Sequence, residues 1–133
     1  MKKIEHIGIA VDDIQKSNTL FSKIFGKEHF KTESVNSEGV VTSFFQIGES
    51  KIELVAATSS ESPIRKYLSK NREGIHHIAF YIDDIEKEMI RLKNEGIRLL
   101  NELPKRGADN KLICFLHPKD TNGVLIELCQ EIK

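Results

Sequence analysis

The chain has 133 residues, with 20 basic and 20 acidic side chains and a formal net charge of zero. That length falls within the ~100–150 residues of an ordinary single domain, which excludes a multidomain machine and allows a core without disulfides or structural metal. With 39% hydrophobic and 30% charged residues the chain is no disordered polyelectrolyte, and its balanced charge excludes a global field that would draw nucleic acid.

No apolar run approaches the ~20 residues that cross a bilayer, so no membrane partner is expected. The opening MKKIEHIGIAVDD meets acid too soon for a signal peptide. Cys114 and Cys129 form no CxxC pair, which fits a reduced, cytoplasmic protein.

Taken in chain order, HIGIAV at 6–11 alternates like a strand, and Asp12-Asp13 then supplies an N-cap for a helix over 13–25 that stops at Gly26. A short strand is expected near 27–33. VVTSFFQIG and KIELVAA, joined at Gly48-Glu49-Ser50, form a hairpin. Ser62-Pro63 opens a short connector helix to about Asn71. HIAFYI at 77–82 begins the same order again, with a helix over 84–95 ending at Gly96 and a short strand expected at 97–100. KLICFLH and VLIELCQ, joined through PKDTNG, close it.

The second half therefore repeats the first. HIGIAVDDIQK at 6–16 and HIAFYIDDIEK at 77–87 are offset by 71 residues and identical at six of eleven positions. Each half reads βαβββ, and the expected class is α+β: one domain of two tandem modules, 1–57 and 74–133, joined by a connector at 58–73. An economy of architecture would explain a repeat without chemistry, so the side chains it duplicates decide the matter.

Strand parity sorts them. Ile7, Ile9 and Val11 share one face, and His6, Gly8 and Ala10 the other. Ile78, Phe80 and Ile82 likewise oppose His77, Ala79 and Tyr81. In the hairpins, Ile52 and Leu54 oppose Glu53, while Val124, Ile126 and Leu128 oppose Glu127. The repeat thus delivers one His and one Glu twice, on the face away from the bulky rows. Any one of these residues alone is most simply a polar side chain on a wet strand face. Four at matching places of a repeat make a mixed N/O set for one divalent ion such as Mn, Co, Ni, Fe(II) or Zn.

HIGIAVDDI at 6–14, KIELVA at 51–56, SPIRKYLSKNREGIHHIAF at 62–80 and FLHPKDTNGVLIEL at 115–128 resemble the vicinal oxygen chelate superfamily. That superfamily contains glyoxalase I, methylmalonyl-CoA epimerase, extradiol dioxygenases and drug-sequestering proteins, and the likeness is greatest to the methylmalonyl-CoA epimerase branch. The resemblance implies a glyoxalase-like fold, with the two modules forming a curved mixed sheet around a metal site. It also places the metal ligands on His6, Glu53, His77 and Glu127, the positions parity singles out. His76 would face the helix side as a structural residue. The implied reaction inverts C2 of a methylmalonyl thioester by 1,1-proton transfer, with Glu127 as ligand and base.

Two positions depart from the family's pattern. Some epimerases carry a glutamate where this chain has Thr42, so the proton on the second face would pass through water held by Thr42, or through Glu38. Asn110 stands where a loop Gly is usual, and Asn tolerates the same left-handed backbone.

The implied substrate is a small-molecule thioester, an acyl-CoA or a glutathione adduct. Two basic groups are available to an anionic carrier: Arg65, Lys66, Lys70 and Arg72, and Lys105, Arg106, Lys111 and Lys119. Lys119, in the turn beside the Glu127 strand, is the one expected to touch it, while most of the others read as solvated surface. His29 and His117 have no repeat partner and read as structural, as does Cys129; parity leaves open which of Phe44 and Phe45 faces the site. A homodimer is expected from the family's habit. Two alternatives accompany the epimerase reading: a glyoxalase I-type lactoylglutathione lyase, and a metal-free small-molecule (drug) binding protein that needs no His and Glu quartet.

Overall fold

The computed structural model describes residues 1–133 and is α+β. Its elements run β1 (Lys3–Ala10), α1 (Ile14–Phe25), β2 (Lys31–Val35), β3 (Val40–Ile47), β4 (Ser50–Ala57), α2 (Pro63–Lys70), β5 (Gly74–Tyr81), α3 (Ile85–Asn94), β6 (Lys105–Gly107), β7 (Lys111–Phe115) and β8 (Ile126–Glu131), with a 3-10 turn at Pro118–Asp120. The order βαβββ therefore occurs twice, with α2 between the copies. No helix is long and apolar enough to cross a membrane.

The helix ends follow the repeated Asp pairs. Asp13 accepts hydrogen bonds from the backbone N–H groups of Gln15 and Lys16 at 3.0 and 3.1 Å, and Asp84 accepts from that of Lys87 at 3.1 Å. Each satisfies donors that the first helical turn leaves without intrahelical partners. Gly26 ends α1 with φ of 71°, a left-handed cap that glycine adopts without steric cost.

The chain divides into two compact units, residues 7–76 and residues 1–6 with 77–133. In the 7–76 unit the strands lie in the order β2-β3-β4-β1, with β3 antiparallel to both its neighbours. Val11, Phe45, Leu54 and Ala56 pack beneath Ile14, Phe21 and Phe25 of α1. On the opposite parity, Ala10, Val40 and Val55 pack against Ile64, Tyr67 and Leu68 of α2. α1 therefore covers one face, and α2 closes part of the face that Glu53 shares.

In the other unit, β5 pairs in parallel with β8, which is antiparallel to β7, which in turn pairs with β6. The first residues of β1 run along β5, where the Lys2 backbone N–H donates to the Tyr81 carbonyl. Ile82, Ile85, Met89 and Leu92 pack with Cys114, Leu116 and Leu128 under α3. Ala79, Ile113 and Cys129 are buried on the opposite face, with Phe115 against them.

Two short strands begin later than the sequence suggests. β2 starts at Lys31, after a loop that follows the Gly26 cap. The strand expected at 97–100 is absent, reduced to one bridge between Leu99 and Leu116, and the edge strand is β6 at 105–107. The reason lies in Arg98, whose backbone N–H donates to the Asp120 carboxylate at 2.8 Å instead of to a neighbouring strand.

Candidate metal centre

His6 near the middle of β1, His77 on β5 and Glu127 on β8 converge within the unit formed by residues 1–6 and 77–133. The Nε2 atoms of the two imidazoles are 3.1 Å apart, with the rings nearly perpendicular at 89°. Glu127 brings Oε1 to 3.4 Å from His77 Nε2 and Oε2 to 3.8 Å from His6 Nε2. All three residues are only 5–6% exposed. The imidazoles meet at a separation of 71 residues, the offset of the sequence repeat.

This donor set fits a divalent ion. Nitrogen and oxygen ligands ~2.0–2.2 Å from one ion stand roughly 2.8–3.6 Å from each other at tetrahedral or octahedral angles, and the three atoms lie within 4.8 Å of one another. Two ring nitrogens turned tip to tip beside a carboxylate could hold a metal ion; the same nitrogens turned outward could not. Burial removes competing water and strengthens the charge interactions of such a site.

Glu53 lies in the 7–76 unit, on β4, and is 5% exposed. Its pairing partner across the hairpin is Phe44, and the counterpart of Glu127 on β7 is Phe115. The register settles which phenylalanine shares the glutamate's face: Phe44 does, whereas Phe45 packs under α1 with its ring 5.3 Å from that of Phe25. Phe115 stands edge-on to the His77 ring at 6.0 Å.

Thr42 is 2% exposed and shares the parity of Phe44; its hydroxyl donates to the Glu33 carbonyl at 3.4 Å. Glu38 is half-buried in the turn before β3, where its backbone N–H donates to the Val35 carbonyl. Asn110 has φ of 54°, the left-handed backbone expected of it.

Lys119 is exposed in the 3-10 turn, and its backbone N–H donates to His117 Nδ1 at 3.2 Å, so His117 orders that turn. Asp120 of the same turn takes a two-pronged hydrogen bond from the Arg98 guanidinium at 3.0 and 2.9 Å. The hydrogen bonds from Arg98, side chain first and then backbone, hold the Asp120 carboxyl far below the usual carboxylate range. Arg65, Lys66, Lys70, Arg72, Lys105 and Arg106 are exposed. Lys111 is not: it is 7% exposed, and its ammonium donates to the Asp109 carbonyl at 3.0 Å. His29 packs edge-on against Phe45. His76 stands edge-on to Tyr67 at 4.8 Å, a structural contact.

One buried carboxylate escaped the sequence reading. Glu5 is 3% exposed, and His6 Nδ1 donates to its Oε1 at 2.9 Å. Cys129 Sγ lies within 4.8 Å of the same carboxylate and of a His6 ring nitrogen. The thiol is 0% exposed and donates to the Phe80 carbonyl at 3.5 Å.

The βαβββ repeat and the paired imidazoles define a class. Residues 5–115 match the model of the glyoxalase/bleomycin resistance protein/dioxygenase superfamily, and the chain belongs to that superfamily. Within it, the chain is 39% identical over 127 residues to the mitochondrial methylmalonyl-CoA epimerase of Dictyostelium discoideum, covering 95% of this chain and 76% of that one. It is 38% identical over 130 residues to an ethylmalonyl-CoA/methylmalonyl-CoA epimerase of Cereibacter sphaeroides, covering 96% and 97%. A variant of the Streptomyces coelicolor methylmalonyl-CoA epimerase, solved in complex with 2-nitronate-propionyl-CoA, superposes with a TM-score of 0.95 at 36% identity, covering 100% of this chain and 99% of that one.

Proposed function

We propose that this chain is a metal-dependent methylmalonyl-CoA epimerase that interconverts the (R) and (S) thioesters by 1,1-proton transfer. The observation that carries the reading is the buried convergence of His6, His77 and Glu127 in a chain whose relatives over 95–96% of its length include epimerases of this kind. His6, His77 and Glu127 would hold one divalent ion, Co, Mn, Ni, Zn or Fe(II); Glu53 is the further carboxylate that the sequence repeat and the family resemblance assign to it. When bound, that ion supplies Lewis-acid stabilisation of the negative charge that builds on the thioester oxygen as C2 loses its proton.

The chain's own residues then manage the proton. The C2–H bond breaks toward Glu127, whose carboxylate takes the proton while the electron pair spreads into the thioester. Glu127 keeps two oxygens near the imidazoles, so one can serve as ligand while the other carries the proton. Inversion returns a proton to the opposite face of C2. Thr42 commits its hydroxyl hydrogen to the Glu33 carbonyl and keeps lone pairs that hold a water. A threonine hydroxyl is too weakly acidic to act as the base itself, so Glu38 or that water exchanges the proton with solvent.

Lys119 contacts an anionic part of the acyl-CoA from its exposed turn; an unchanged KM in Lys119→Ala would remove that role. The enzyme works as a cytoplasmic homodimer, with Cys114 and Cys129 both buried and in no disulfide. The decisive measurement is exchange of the C2 proton of methylmalonyl-CoA in heavy water, followed by NMR. Exchange abolished by a chelator and restored by a divalent ion is the expected result, and no exchange with the ion present would overturn the proposal.

A further inference from the structure

The geometry points to Glu5 as the positioning residue that fixes the tautomer and aim of His6 for metal binding, an inference that rests on the metal reading above. A carboxylate is acceptor-only, so a 2.9 Å contact at Nδ1 puts the ring proton there. The lone pair is then left on Nε2, the nitrogen that faces His77 and Glu127. Which imidazole nitrogen is free for a metal is set by the hydrogen bond that the other one makes.

Burial shows that the contact is built in. Glu5 is 3% exposed and its side chain bonds His6 Nδ1 within 4.8 Å of Cys129 Sγ, whereas Lys2, Lys3 and Ile4 before it are exposed. A carboxylate is costly to bury unless charge-assisted hydrogen bonds hold it. Its reach is also unusual: neighbouring strand residues start on opposite faces, so the Glu5 side chain must turn back along the strand to meet His6. The repeat has no second copy of this arrangement. The residue before His77 is His76, which packs edge-on against Tyr67.

The test uses cobalt(II) with wild type, Glu5→Gln and Glu5→Met. Gln keeps an acceptor oxygen but loses the charge, and Met fills the space without an acceptor. Loss of such a partner weakens metal affinity by about 10–100-fold, so Glu5→Met should fall in that range, with Glu5→Gln between it and wild type. Long-range proton–nitrogen NMR of the metal-free protein reads the His6 ring directly. The wild type should show Nδ1 protonated, and Glu5→Met should shift the ring toward the Nε2-protonated form. Cobalt affinity within about twofold of wild type in both variants, with the His6 ring shifts unmoved, would overturn the inference. Should Glu5→Met fail to fold, Glu5→Gln decides alone: it must weaken cobalt at least about threefold and move the Nδ1 resonance. A wild type that binds no cobalt would sink the metal reading instead, and the ring shifts, which need no ion, would still decide whether Glu5 sets the tautomer.

Discussion

The two βαβββ segments share a plan and differ in what they attach to it. Both begin with a strand carrying His, follow it with an Asp-capped helix, and end on a hairpin in which a buried Glu pairs with a Phe. In the first segment the hairpin is closed by the short turn at Gly48-Glu49, and the strand's His follows Glu5. In the second, residues 116–125 intervene between β7 and β8 and carry the His117-Pro118-Lys119 turn, and the strand's His follows another His. What the copies share is the scaffold and the ligand types. What they do not share is the surroundings of those ligands, and there the chemical roles of the two halves separate.

The sharpest way to break that comparison is to make the same change in both glutamates. Glu127→Gln removes the proposed base and should lower the rate of C2 exchange by about 10²–10⁴-fold, since an amide cannot take the proton. Glu53→Gln keeps an oxygen donor at the proposed fourth ligand position and should cost roughly tenfold or less. Deuterium incorporation at C2 measures both. Equal losses would mean that the two halves contribute symmetrically and that Glu127 is not the distinct base.

The cores should behave alike. Leu128 under α3 and Leu54 under α1 are both 0% exposed, and each change to Ala should destabilise the fold by about 2–5 kcal/mol in denaturant unfolding. A loss confined to one of them would show that one segment carries the stability. The histidine pair at 76–77 divides within two residues. His77→Ala should abolish tight cobalt binding. His76→Ala should leave it intact and remove the edge-on contact with Tyr67, worth about 0.5–1.5 kcal/mol.

Much of this was legible in the residues. Side-chain alternation placed His6, His77 and Glu127 on the face opposite the bulky rows, and the Asp pairs and Ser62-Pro63 marked helix starts that the structure keeps. What alternation encodes is the direction of a Cβ, and each miss follows from that limit. It could not choose between Phe44 and Phe45, because that needs the hairpin register with β4. Nor could it see Glu5, whose long side chain ends beside a residue that its Cβ points away from. Lys111 looked like a solvated cation because residue type alone does not show that its ammonium folds back onto the Asp109 carbonyl two residues before it. A strand at 97–100 looked reasonable because the Asp120 carboxylate that takes the Arg98 N–H lies 22 residues further on.

That Arg98–Asp120 contact yields the smallest effect, and one whose sign is fixed. It belongs to the second segment alone and ties the Lys119 turn to the stretch that follows α3. Hydrogen bonds from Arg98 lower the Asp120 carboxyl in the folded state, so the folded chain holds this proton less readily than the unfolded chain, where an aspartate titrates near ~3.9. Stability from the pair is therefore fully present above the unfolded value and drains away as pH falls toward the depressed folded one. Asp120→Asn should lower the Tm slightly at pH 7, by an amount that shrinks below about pH 4 and also shrinks in high salt, because Arg98 is more than half exposed. A Tm difference that stayed constant from pH 7 to pH 3 would mean that the carboxylate's charge contributes nothing, and that the turn is held by its backbone hydrogen bonds and by His117.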